Sequence, residues 1–145
     1  MLTMFGGGLK RGILFRAKRL PGLLGPLPDP KEWMYGYIQV EKTREDDIDT
    51  LTWMHEQEAP FKRYAAKPWT VGQYTGKRDK NEAMIYEGDI VKVCGAEETV
   101  HEVQWDDDWS GFCLYSKEFG CTAIPPDTSK IEIIGNIHDN PELLE

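Results

Sequence analysis

Short apolar runs separated by turn residues dominate the second half of the chain. From Pro68 onward the pattern predicts strands over Thr70–Thr75, Ala83–Tyr86, Ile90–Cys94, Thr99–Trp105, Gly111–Tyr115, Cys121–Ile124 and Ile131–His138. Turns fall at the charged Gly76–Glu82 run, at Glu87-Gly88-Asp89 and at Asp106-Asp107-Asp108. Asn140-Pro141-Glu142 suits the start of one last helical turn, because proline fits the first helical position. The first half is less regular. Gly12–Arg16 reads as a short strand. Trp33–Val40 is rich in aromatic and β-branched residues and reads as another. Between them lies Leu20–Pro30, which holds four of the nine prolines and is therefore a loop. Lys42–Asp47 is turn-like. Ile48–Glu58 fits two patterns: Ile48, Leu51 and Met54 have helical spacing, while Ile48, Thr50, Thr52 and Met54 alternate as in a strand. Many short strands, close turns and no long helix indicate an all-β protein, with a small SH3-like β-barrel in the C-terminal half. The expected organisation is an irregular N-terminal β-region over residues 1–67 and a β-barrel over 68–145.

Composition is that of an ordinary globular chain of 145 residues, 40% hydrophobic and 29% charged. No run of 18 apolar residues occurs, so no membrane span is expected. The first fifteen residues make a poor signal peptide, because Gly6, Gly7 and Gly8 interrupt them and Lys10 and Arg11 follow the apolar part. Net charge is −8; the first 31 residues, with six basic side chains and one acid, hold +5, and the remainder holds −13. An acidic field disfavours polyanions. The imbalance suits an internal match or a contact between subunits better than a phosphate-binding arm. Three cysteines without a secretion signal imply free thiols in a reducing cytoplasm.

Val71–Val91 reads V-G-Q-Y-T-G-K-R-D-K-N-E-A-M-I-Y-E-G-D-I-V. This resembles the signature run of the YopX family, small proteins of bacteriophages and prophages. Phe15-Arg16-Ala17-Lys18-Arg19 with Trp33-Met34-Tyr35-Gly36-Tyr37 resembles the family's opening motifs, and Ile133–Leu144 its closing segment. Lys77 stands in place of the family's usual leucine, and Glu82 in place of the glycine of a D-x-N-G turn. The turn is expected to survive with Asn81 taking a positive φ. The Leu20–Pro30 stretch resembles an insertion, and the resemblance shifts Ile48–Met54 toward strand. It implies a phage-encoded protein in the bacterial cytoplasm and supplies no catalytic residues.

Candidate chemistry is sparse. Cys94, His101, Cys113 and Cys121 lack the spacing of a structural zinc site and read as small buried groups. Asp106–Asp108 reads as a solvated turn rather than a magnesium site. Glu87 and Asp89 are expected to bond the backbone of their own turn rather than act as an acid pair. No triad motif is present. The chain is therefore read as no enzyme, with no cofactor and no bound metal. The leading expectation is a self-associating protein-binding module, since five tryptophans exceed what a tiny barrel buries easily. The alternative is a nucleic-acid-binding barrel. Its surface would comprise Arg16, Lys18, Arg19, Tyr74, Lys77, Arg78, Lys80 and Tyr86.

Overall fold

Two antiparallel sheets make up the protein in this computed structural model, which describes residues 12–21, 32–42, 50–59 and 61–145. The strands are β1 (Phe15–Lys18), β2 (Trp33–Lys42), β3 (Thr50–Glu56), β4 (Arg63–Ala65), β5 (Gly72–Arg78), β6 (Met84–Tyr86), β7 (Asp89–Val93), β8 (Thr99–Asp106), β9 (Gly111–Ser116), β10 (Gly120–Ala123) and β11 (Ile131–Asn136). Single 3-10 turns occupy Pro68–Thr70 and Pro141–Leu144, and no α-helix occurs among the described residues. None is therefore long and apolar enough to cross a membrane. The first sheet runs β4-β3-β2-β1-β5-β6 and the second β10-β9-β8-β7-β11. Strands from both sides of residue 67 share the first sheet, because β1 pairs with β5 at Phe15–Gln73 and Arg16–Gly72.

The mainly-β expectation holds. Within the ambiguous segment Ile48–Glu58, Thr50–Glu56 is a strand: β3 pairs along β2 from Gly36–Glu56 to Lys42–Thr50. Most of the proline-rich loop and of the Lys42–Asp47 turn lies outside the described residues. The expected Thr70–Thr75 strand starts later, at Gly72. Pro68 opens a 3-10 turn instead, and the Thr70 hydroxyl fixes it by donating to the Lys67 carbonyl while accepting the Lys18 N–H. At its other end β5 runs three residues into the expected turn, to Arg78.

The closed SH3-like barrel is corrected. β10 and β11 end the second sheet without pairing, so the sheet is open. The cause is local. Pro125 and Pro126 lie between these strands and supply no N–H for a ladder. The free side of β11 is taken instead by the turn after β5: Lys80 N–H donates to the Ile131 carbonyl at 2.8 Å, and Ile133 N–H to Asp79 at 3.1 Å. This covers an edge that would otherwise be open to pairing.

That turn holds a second correction. Asp79 is buried, and one of its carboxylate oxygens accepts the N–H groups of Asn81 and Ala83. The left-handed position falls on Glu82, with φ 63°, and not on Asn81. Apolar packing is divided between the sheets. Ile85, Val91, Val103, Leu114 and Ile131 form one core; Ala17, Met54 and Ala66, with Phe15, Met34 and Ile38 against them, form a smaller one.

Candidate functional site

Four sequence motifs meet where the two sheets join. β1 sends Arg16 and Lys18 toward the junction, β2 sends Trp33, the turn into β7 sends Asp89, and the segment after β11 sends His138 and Asp139. Arg16 pairs with Asp89 at 2.7 Å, with their side chains only 8% and 2% exposed. The Arg16 guanidinium lies 4.6 Å from the Trp33 ring centroid and 5.1 Å from that of Tyr86. Lys18 pairs with Asp139, which also accepts from Trp33 Nε1 at 2.9 Å and from the Asn136 amide at 3.1 Å. Gly88 makes the turn into β7 at φ +88°, a conformation that L side chains rarely adopt. Gly72 lies so close to this turn that a Cβ there would sit 2.4 Å from the Glu87 carbonyl oxygen.

Burial shapes the electrostatics. It pushes the Asp89 carboxyl above the usual range, against the pull of Arg16 and of the Tyr86 N–H. It raises the Tyr86 hydroxyl to about 12, with Tyr35 adding to the effect. Asp139 goes the other way. Burial opposes its charge, yet hydrogen bonds from Lys18, Trp33 and Asn136 together hold it at about 2. His138 is pushed down by burial and by the neighbouring Arg16 and Lys18.

The eight residues expected to form a basic surface divide. Arg16, Lys18 and Tyr86 are buried in the junction, so they are not surface groups. Tyr74 packs on Tyr86, with ring centroids 5.7 Å apart. Arg19 lies 4.4 Å over Tyr64, on the far side of β1. Lys77, Arg78 and Lys80 stay together near the β5 turn, but Lys80 pairs with Glu132 at 2.9 Å and Arg78 donates to the Glu82 carbonyl. The sequence identified Arg16 and Lys18 without their partners. Trp33, His138 and Asp139 went unassigned, and only their place in matching motifs marked them.

The cysteine expectation is corrected in part. Cys113 on β9 and Cys121 on β10 are joined as a disulfide, with Cα atoms 5.6 Å apart, while Cys94 remains a free thiol. β10 pairs Tyr115 with Cys121 and Cys113 with Ala123, so the two cysteines are diagonal neighbours on one face. Among the described residues, the one close group of metal-ligand residue types is Asp106, Cys113 and Cys121, and the disulfide leaves its two sulfurs no thiolate to offer; neither Cys94 nor His101 joins it. In the acidic turn, Asp106 accepts the Trp109 N–H and Asp107 accepts Trp105 Nε1–H. Glu87 and Asp89 do not act as a pair: Asp89 turns inward to Arg16, and Glu87 accepts the Gln73 N–H.

Beside the junction lies a groove of about 300 Å³. The Gly88 N–H donates to the Val103 carbonyl at 2.8 Å, which sets the Glu87–Gly88 turn against β8. Glu87, Glu102, Gln104 and His138 line the groove together with Trp69 and Trp105. Those two tryptophans are 70% and 45% exposed. The surplus of tryptophan in the sequence thus reaches the surface here, and again at Trp109.

Comparison with known proteins gives this chain a family. None of the curated proteins matches the chain. Among solved structures it is similar to the crystal structure of protein EF1440 from Enterococcus faecalis, at 24% identity and a TM-score of 0.47, covering 93% of this chain and 99% of that one. A family model described as YopX protein matches residues 29–145. That span takes in every junction residue from Trp33 onward, and the chain belongs to the YopX family.

Proposed function

We propose that this chain is a non-enzymatic accessory protein of a phage or prophage, acting in the bacterial cytoplasm as a self-associating protein-binding module. The observation that carries the reading is the set of large aromatic side chains left at the surface: Trp69, Trp105, Trp109, Phe61 and Phe119. Tryptophan is enriched at protein interfaces, where its area binds at low entropic cost. The ionisable groups of the junction support the non-catalytic part, because Arg16 is ion-paired with Asp89 and Lys18 with Asp139. The nucleic-acid reading loses ground for the same reason: two of its cations are neutralised inside, and a third, Lys80, is paired.

Light scattering coupled to chromatography tests the proposal. A mass at a multiple of 16.6 kDa is expected, falling toward the monomer when Trp109 and Phe119 are both changed to alanine. Alanine at Lys77 and Arg78 should leave that mass unchanged. A monomer at every concentration removes self-association. DNA or RNA binding that falls steeply with salt and depends on Lys77 and Arg78 replaces the proposal with the nucleic-acid reading.

A further inference from the structure

Trp69 and Trp105 line the groove from rigid supports. Trp69 stands in the Pro68–Thr70 turn, which hydrogen bonds hold at both ends. The Trp105 indole donates to Asp107 at 3.0 Å and packs edge-on against Phe112, with ring centroids 5.1 Å apart. The Trp105 ring is thus held in place before a ligand arrives, and the backbone that carries Trp69 is fixed, which lowers the entropic cost of binding. The charged residues that line the groove are acids, Glu87 and Glu102, and no lysine or arginine lines it. Arg16 lies beneath Gly88 and is matched by Asp89. Burial, Arg16 and Lys18 disfavour protonation of His138, against the pull of Asp139.

Aromatic side chains and carboxylates lining one groove are the two elements that together select a planar cation. A guanidinium stacks on indole and donates two parallel N–H bonds to a carboxylate; an ammonium does so less well. We propose that this groove takes the guanidinium of an arginine carried by a basic segment of a partner protein. The inference rests on the protein-binding reading and names the chemistry of the partner. A chain of net charge −8 also draws a basic segment toward it, so attraction is in place before contact.

The test uses the full chain and a short glycine-arginine peptide, followed by indole fluorescence. Saturable binding is expected, weakening as salt is added. Trp69→Ala and Glu102→Gln should each weaken it by about tenfold. Both sites are at least partly exposed, so the fold should survive; unchanged melting temperatures confirm that. The same peptide with glutamine for arginine should not bind, and the lysine version should bind several-fold more weakly. Three results overturn the inference: no saturable binding, equal binding by the glutamine peptide, or full affinity in the Trp69→Ala and Glu102→Gln variants. Its failure is separate from that of the functional proposal. A chain that self-associates yet ignores the arginine peptide loses only this groove's assignment. A monomeric chain that binds the peptide keeps it.

Discussion

At Asp89, one carboxylate serves two partners that share nothing in sequence. One oxygen meets Arg16, and the other accepts the Tyr86 N–H at 2.8 Å. The residue is almost fully buried, so removing it strands both a guanidinium and a backbone donor. Asp89→Ala is expected to cost about 3–5 kcal/mol in urea unfolding. Asp89→Asn keeps an acceptor for Tyr86 and should cost less, about 2–3 kcal/mol. Replacing both charges, Arg16→Met with Asp89→Leu, should cost less than the two single changes added together, since neither charge is then left alone. Glu82 offers the opposite case. Its φ of 63° is strained for any side chain with a Cβ, while its carbonyl, the acceptor for Arg78, belongs to the backbone. Glu82→Gly should therefore stabilise by about 1 kcal/mol and raise the melting temperature by about 3 °C. The motif comparison located this substitution. It did not reveal which residue carries the strained angle, because a turn can place that angle at either of two positions.

Individual strands were legible wherever one face is buried. In β8, buried His101 and Val103 alternate with less buried neighbours, and the sequence pattern places this strand within one residue. β5 was less legible because Lys77 and Arg78 look like turn residues, yet past an irregular stretch Arg78 still pairs, facing Met84 across to β6. Sheet closure was not legible at all. It depends on whether β10 reaches β11 or the Asp79 turn reaches it first, and periodicity within a strand says nothing about that competition. The junction was half legible for the same reason. Arg16 and the Glu87–Asp89 turn stood out as motifs, but 71 residues separate Arg16 from Glu87, and only the fold brings them together. The Cys113–Cys121 pair likewise needed the register of β9 on β10. Thiol titration of the unfolded chain without reductant should find one reactive thiol, Cys94, and three after reduction. Three in both samples would show that the pair is not bonded. Since the bond closes only a short loop, reduction should cost about 2 kcal/mol.

Across the whole molecule, pH acts through two carboxylates of opposite habit at one junction. Asp139 is held at about 2 in the fold, against roughly 4 for an unfolded aspartate. A depressed value means that its contribution is fully present above pH 4 and is lost as pH falls toward 2. Asp89 is raised by burial, so the fold penalises its charged form, and falling pH relieves that penalty. Loss of net negative charge on approach to the isoelectric point near 4.9 also relieves repulsion. Stability should therefore hold or rise slightly from neutral pH down to about 5, then fall steeply below about 4. Asp139→Asn separates this group from the rest. The asparagine can still accept from Trp33 but cannot pair with Lys18, so the variant should be weaker by about 1–2 kcal/mol near pH 6, allowing for solvent screening. The gap should shrink to a small fraction near pH 2, where the native carboxyl is itself about half protonated. Urea unfolding of both proteins at half-unit steps of pH measures it directly. A gap that stays constant down to pH 2 would mean that the link between β1 and the end of β11 is held by shape and neutral hydrogen bonds, with the Lys18–Asp139 charges contributing nothing to it.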